Sequence, residues 1–431
     1  MKLTKLIKPS EVNGVINAPP SKSIMGRITA AALLSDGITK IRNASLCDDG
    51  LTALDIIETL GAHVTRVAHI KVDAKKFVNE VIVKSKGIFK TVPKSDVINC
   101  KESGLCMRMF APILSLLKRQ FTLNATDSLQ KRPMKMLEAL AQLGAHCKTS
   151  AAGYSPIKLK GAIKGGKIKI DGSDSSQFLT GLLMALPLCK KNSIIEVLNL
   201  KSKPYVQMTI SLLARLGIKI DSCGNFQKFK ISGHQKYKTN INYSVEGDWS
   251  GASFMLVAGA IAGKVRINWL SINSFQADKE IISALKRAGA KIKIQKNNII
   301  VEKDRLNAFE FDANDCPDLF PPLTVLAINC SGISVIKGVK RLKYKESDRA
   351  TALAQEFGKI GAKIKIVGNN MKIIGTKLRG GKIDSHNDHR IAMAGAIAAL
   401  NSEKGIYLLN PKCVSKSYPE FFDDLERLKE R

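Results

Sequence analysis

Apolar positions along this chain follow one recurring arrangement. A stretch with apolar residues three and four apart runs into a glycine, and a stretch with every second residue apolar follows. The first pattern is the stripe of an amphipathic helix, the second the one-sided face of a strand. The junction reads Ile56-Ile57-Glu58-Thr59-Leu60-Gly61-Ala62-His63-Val64, and it returns around Gly144, Gly217, Gly289 and Gly361. These glycines are 83, 73, 72 and 72 residues apart. Glycine tolerates the left-handed backbone that closes a helix, so each is expected just past a helix end. A last helical stretch, Phe421 to Leu428, falls where a sixth copy would end. Six units of this size are too long for a solenoid repeat. They fit an α/β (α+β layered) architecture of two domains with three units each.

Composition narrows the picture. With 431 residues, 45% of them hydrophobic, the chain can bury two or three cores. It has no apolar run of about 18 residues, so no membrane span is expected. The start, Met1 to Ile7, is too short and too charged for a signal peptide. Nine scattered cysteines without a C-x-x-C pair read as reduced thiols, with no metal site and no cofactor implied. The formal charge of +31 raises the prospect of a nucleic-acid surface. The lysines, however, are spread along the chain without a block of five basic residues. The charge therefore reads as a diffuse bias to which anionic small substrates contribute. Against 52 lysines, the 16 arginines stand out as positions where a planar, bidentate fork is needed.

Candidate chemistry gathers where helices are predicted to begin. Pro19-Pro20-Ser21-Lys22-Ser23 precedes a helix from Ile24 to Leu34 that carries Arg27. Asp171-Gly172-Ser173-Asp174-Ser175-Ser176-Gln177-Phe178 links a strand, Lys167 to Ile170, to an apolar helix, Leu179 to Leu188. Ser202-Lys203-Pro204-Tyr205 opens another helix, and Asp318 precedes a further apolar one. Lys343-Tyr344-Lys345-Glu346-Ser347-Asp348-Arg349 and His386-Asn387-Asp388-His389-Arg390 each lead into a helix. Arg132 and Lys416 repeat the theme. Taken singly, each stretch also reads as a capped helix, a turn or a solvated charge run. Taken together, they bring cations and hydroxyls to the positive ends of helices, where phosphates and carboxylates bind. Asp318 and Glu346 are left over to handle protons. There is no P-loop, no G-x-G-x-x-G and no nucleophile elbow, which favours group transfer by positioning and charge stabilisation.

These motifs, with Val245-Glu246-Gly247-Asp248, occur in an order that resembles the 5-enolpyruvylshikimate-3-phosphate (EPSP) synthase family over essentially the whole chain. The resemblance implies two similar domains, each of three βαβαββ units, with the active site in the cleft between them. It puts residues 1–20 plus 246–431 in a discontinuous domain and 21–245 in an inserted one. It implies transfer of the enolpyruvyl group of phosphoenolpyruvate to the 5-hydroxyl of shikimate 3-phosphate, with loss of phosphate from a tetrahedral ketal. By the family pattern, Lys22, Ser23, Arg27, Ser175, Ser176, Gln177, Ser202, Tyr205, Asp318 and Lys345 hold shikimate 3-phosphate. Lys22, Gly104, Arg132, Gln177, Arg349, Arg390 and Lys416 hold phosphoenolpyruvate. Asp318 takes the hydroxyl proton and Glu346 delivers one to C3. Lys22 is the competing proton donor, and His389 assists. The family also implies a cytoplasmic monomer that needs no cofactor, metal, nucleic acid or membrane.

The sequence departs from the family pattern at Glu102, Leu105, Met109 and Arg341. Glu102, Leu105 and Arg341 bear on affinity for phosphoenolpyruvate and for glyphosate, the family's inhibitor, and Met109 bears on glyphosate as well. Two rival readings are an enolpyruvyl transferase acting on UDP-N-acetylglucosamine, for which Cys106 would be the acid, and a basic nucleic-acid-binding protein.

Overall fold

The structure, a computed structural model, describes residues 3–73, 76–150 and 152–429. Chain contacts divide it into two compact units, Met1–Pro19 with Glu246–Arg431, and Pro20–Val245.

Each unit is built from three sheets of one design. In the Pro20–Val245 unit, Val97–Asn99 runs parallel to Gln120–Asn124. The latter is antiparallel to Ile157–Lys160, which is antiparallel to His146–Lys148. Lys167–Asp171, Ser193–Leu198, Lys228–Ile231 and Asp221–Ser222 repeat that order. In the third sheet the parallel strand comes from the far end of the segment. Ile241–Ser244 pairs with Asp36–Arg42, beside Lys76–Lys86 and His63–Asp73.

The other unit borrows its strands from the N-terminus. Val12–Asn17 is parallel to Gly263–Asn268, followed by Asn298–Glu302 and Lys291–Gln295. Glu310–Asp312, Ile333–Lys337, Asn370–Ile374 and Lys363–Val367 form the second sheet. The third has three strands, Gly381–Asp384, Ile406–Leu409 and, antiparallel at its edge, Thr4–Ile7. The helix Phe421–Leu428 is present as predicted. The five repeat glycines all have positive φ, between 84° and 104°.

Helices that are apolar all round must be buried, and they form the centres of the units. Trp249–Ala262, Phe320–Ile328 and His389–Leu400 pack on one another in one unit. Gly104–Leu114 and Gln177–Ala185 pack in the other. There Gly181 lets the two backbones approach, since a Cβ on it would lie 2.5 Å from the Met109 carbonyl.

Several boundaries differ from expectation. The first helix spans Lys22–Leu34, with Ser21 rather than Ser23 as its cap. The helix at Leu140 is a 3-10 segment, Lys135–Leu143. The helix expected over Leu179 to Leu188 is Gln177–Ala185, and Pro187 tightens the remainder into a 3-10 turn. Strand lysines such as Lys158, Lys160, Lys167, Lys169, Lys363 and Lys365 are exposed, the first four alternating with buried apolar residues. The positive charge is thereby distributed over the open faces of several sheets in both units.

Candidate active site

In the Glu246–Arg431 unit, Arg349 is the first residue of the helix Arg349–Lys359 and has no exposed side-chain surface. A cation at a helix start opposes the macrodipole and needs compensation. Arg349 has it threefold. Nε and Nη2 donate to the two Asp388 carboxylate oxygens at 2.9 and 3.2 Å. Nη1 donates to Asp318 at 2.9 Å and Nη2 to Glu346 at 2.6 Å. Asp388 also caps the next helix, taking the Arg390 amide at 2.9 Å, and accepts the Ser347 hydroxyl at 3.0 Å.

Asp318 lies on the 3-10 turn Pro317–Leu319 and is the meeting point of three cations. Arg390 stands 3.1 Å from it and Lys345 3.3 Å, besides Arg349. Burial pushes its carboxyl up, but Arg390, Lys345 and Arg349 outweigh burial and hold it well below the usual carboxylate range. Arg390 also meets the His389 ring at 2.8 Å, and Lys416 comes within 4.0 Å of Glu346. A further acid, Asp278, is fully buried and accepts a hydrogen bond from the Ser250 hydroxyl. Burial first, and then the Asp318 charge, push its carboxyl up to about 7.

In the Pro20–Val245 unit the cations have different company. Arg27 is 2% exposed. It donates to the hydroxyls of Thr209 and Thr180, at 2.9 and 3.3 Å, and to the Ser23 carbonyl at 2.8 Å. Burial lowers its guanidinium to about 10. Lys22 pairs with Asp49 at 2.9 Å. Arg108 donates to the Gln177 side chain at 3.0 Å, and Arg132 to the Ser128 hydroxyl at 3.2 Å. All three arginine and glutamine groups converge on Gly104. A Cβ there would lie 2.8 Å from Arg108 Nη1, 3.4 Å from Arg132 Nη1 and 3.6 Å from Gln177 Oε1. Ser175 accepts the Gln177 amide at 3.1 Å, and Ser176 is buried at the helix start. Ser202 holds the left-handed conformation (φ 55°) just before Lys203–Arg215, the helix that carries Tyr205 and Thr209.

Comparison with known proteins assigns the chain as a whole. Residues 6–425 match the family described as EPSP synthase (3-phosphoshikimate 1-carboxyvinyltransferase). A 3-phosphoshikimate 1-carboxyvinyltransferase of Clostridium novyi is 37% identical over 98% of this chain and 96% of its own length. One from Thermococcus kodakarensis is 36% identical over 99% and 100%.

The chain belongs to the EPSP synthase family.

Among solved structures, EPSP synthase from Acinetobacter baumannii shares the fold with a TM-score of 0.80 at 24% identity, over 100% of this chain and 98% of that one. An enolpyruvyl transferase from Streptomyces tendae does so with a TM-score of 0.78 at 16% identity, over 99% and 97%.

Within this family frame, the sequence-predicted residues fall into two sets. Asp318, Lys345, Glu346, Arg349, His389, Arg390 and Lys416 come together in one unit. Gly104, Arg132 and Gln177 come together in the other, and Arg27 contacts the backbone of Ser23. Two placements need correction. Arg132 is not at a helix start but in the turn after Asp127–Gln130, because Pro133 interrupts the helix. Lys416 closes the 3-10 turn Pro411–Lys416 instead of opening a helix.

Sequence reasoning did not assign Asp388, Arg108, Asp49, Asp278, Thr180 or Thr209. Asp388 and Arg108 could have been found, the first as the capping acid of a quoted motif and the second as one of the few arginines. Glu102 accepts the Ser128 amide at 3.2 Å, so the acidic replacement is tied to the residue that also holds Arg132. Cys106, which the nucleotide-sugar alternative would use as its acid, is 1% exposed and therefore closed off from a substrate. Among the described residues no cluster of metal-ligating side chains occurs, and no helix is long and apolar enough to cross a membrane.

Proposed function

We propose that this chain transfers the enolpyruvyl group of phosphoenolpyruvate to the 5-hydroxyl of shikimate 3-phosphate. The reading rests on family membership, and the observation that carries its chemistry is the convergence of Arg349, Arg390 and Lys345 on Asp318. In the first step the 5-hydroxyl oxygen bonds to C2 of phosphoenolpyruvate while C3 gains a proton. In the second, the ketal loses that phosphate and a C3 proton, leaving the enol ether.

Asp318 accepts the hydroxyl proton. With three cations on it and no substrate, it is a weak base. A substrate phosphate or carboxylate that draws on the same cations lifts Asp318 back toward its ordinary range. Glu346, bonded to Arg349, delivers the proton to C3, and Lys22 is the second candidate for that step. Arg132, Arg349, Arg390, Lys416 and Lys22 hold phosphoenolpyruvate, beside Gly104 and Gln177. Ser23, Arg27, Ser175, Ser176, Gln177, Ser202, Tyr205 and Lys345 hold shikimate 3-phosphate, and His389 steadies Arg390 through their 2.8 Å contact.

Phosphate release from phosphoenolpyruvate tests the reading, with shikimate 3-phosphate and separately with UDP-N-acetylglucosamine as acceptor. Release that requires shikimate 3-phosphate and collapses in Asp318→Asn and Glu346→Gln supports it. Release with only the nucleotide sugar, or with neither acceptor, overturns it.

A further inference from the structure

The turn that delivers Asp388, His389 and Arg390 is held in an unfavourable conformation. His386 and Asn387 are consecutive residues with φ of 52° and 57°, the left-handed region that side chains with a Cβ enter at a cost. Such a turn persists only when its surroundings hold it.

The same helix holds it from both sides. At the start of Arg349–Lys359, Arg349 binds Asp388 through two nitrogens. Two turns further along, Glu356, 2% exposed, reaches the other side of the turn. One Glu356 oxygen accepts the Asp384 amide at 2.9 Å, and the other meets His386 Nε2 at 2.9 Å. Lys359 adds a bond at 2.6 Å. Within the turn, Asp384 accepts the His386 amide at 2.9 Å, and the Asp388 amide donates to the Ser385 carbonyl at 2.8 Å. Glu356 itself touches none of the proposed substrate-binding side chains in these bonds. A buried acid that bonds one side of a strained turn through both of its oxygens is placed to fix where that turn ends.

We propose that Glu356, with His386 as its partner, is a positioning residue for the anion-binding end of the site. It anchors the 384–389 turn, and the turn sets where Asp388 and Arg390 stand relative to Arg349. The inference rests on the proposed function, since Arg349 and Arg390 are there assigned to phosphoenolpyruvate. Residues that orient metal ligands from behind cost roughly 10- to 100-fold in affinity or activity when removed, and the same size of effect is expected for a residue that orients anion-binding arginines.

The test is steady-state kinetics of Glu356→Ala, Glu356→Gln and His386→Ala with each substrate varied, together with thermal unfolding. The expected result for Glu356→Ala is a roughly 10- to 100-fold rise in KM for phosphoenolpyruvate, with KM for shikimate 3-phosphate within about twofold of the parent. Glu356→Gln, which keeps an oxygen for the Asp384 amide, should recover most of the loss. His386→Ala, at a half-exposed side chain, should move KM the same way by less and serves if Glu356→Ala fails to fold. A lower melting temperature with both KM values unchanged, or both rising together, overturns the inference. If the parent chain releases no phosphate, it is the functional reading that fails. Calorimetric titration with inorganic phosphate then decides the positioning role: weaker binding in Glu356→Ala or, if that variant fails to fold, in His386→Ala supports it, and binding equal to the parent overturns it.

Discussion

Arg27 and Arg349 are both buried arginines near the start of a helix, and their surroundings are opposite. Arg27 is held by two threonine hydroxyls and a carbonyl, all neutral, and burial lowers its guanidinium to about 10. Arg349 is held by three carboxylates, and although burial opposes its charge, those carboxylates raise its guanidinium above the ordinary value. The difference teaches what each can do. The charge on Arg27 is oriented but not cancelled, so an incoming anion gains its full attraction. The charge on Arg349 is already matched, so an anion gains there only by taking over from Asp318, Glu346 or Asp388. Binding in that unit is thereby coupled to the protonation of the displaced acids, which suits the proton-handling role proposed for it.

The sharpest way to break this comparison is to remove each guanidinium. Arg349→Met leaves three carboxylates facing one another in a buried site. Urea unfolding is expected to show a loss of about 3–5 kcal/mol, with activity abolished. Arg27→Met should leave stability within about 1 kcal/mol of the parent, because Thr180 and Thr209, 3.3 Å apart, can satisfy each other. Equal losses at the two sites would end the distinction.

Next in size is Asp318→Asn. It keeps the shape of the cluster but removes the proposed proton acceptor, and kcat should fall roughly 10²- to 10⁴-fold; stability should fall as well, because the charged carboxylate is what its three cations hold in the fold. Arg27→Lys tests the other side of the comparison. A single ammonium cannot reproduce the three bonds of the fork, so KM for shikimate 3-phosphate should rise about tenfold with kcat retained. A last test concerns Asp278 and is read through pH. Its folded carboxyl titrates at about 7, above its unfolded value, so the folded state holds its proton more tightly. Stability from this group is complete below about pH 4 and falls as pH rises to about 7. Asp278→Asn should remove that part of the slope in unfolding experiments run across the same range.

Much of the frame could be read from the chain because it is written in local spacing. Gly61, Gly144, Gly217, Gly289 and Gly361 fall in the left-handed region, and the helices they close are set by periodicity within about 20 residues. The cations were legible for a related reason, since arginine is scarce and stands near helix starts. The partners of those cations were not. Arg27 finds Thr180 and Thr209 at separations of 153 and 182 residues, and Lys22 finds Asp49 at 27. No pattern along a single sequence encodes such pairs, because packing between elements chooses them. Arg132 and Lys416 were misplaced for a third reason. Pro133 keeps the residue before it out of the helical region, and Lys416 falls at the end of the 3-10 turn Pro411–Lys416 and not before a helix, which spacing along the sequence does not distinguish.

The borrowed strands have a consequence for how the protein is made. Ribosomes deliver the chain from the N-terminus, yet Thr4–Ile7 finds its neighbour only in Ile406–Leu409, and Val12–Asn17 in Gly263–Asn268. At roughly 5–20 residues per second, the earliest strand waits about 20–80 s for its partner. The Pro20–Val245 unit completes its last sheet once Ile241–Ser244 has emerged, and so it can mature first. Thr4–Ile7 is thus made long before it is secured, and until Ile406–Leu409 emerges its edges are open to any passing strand.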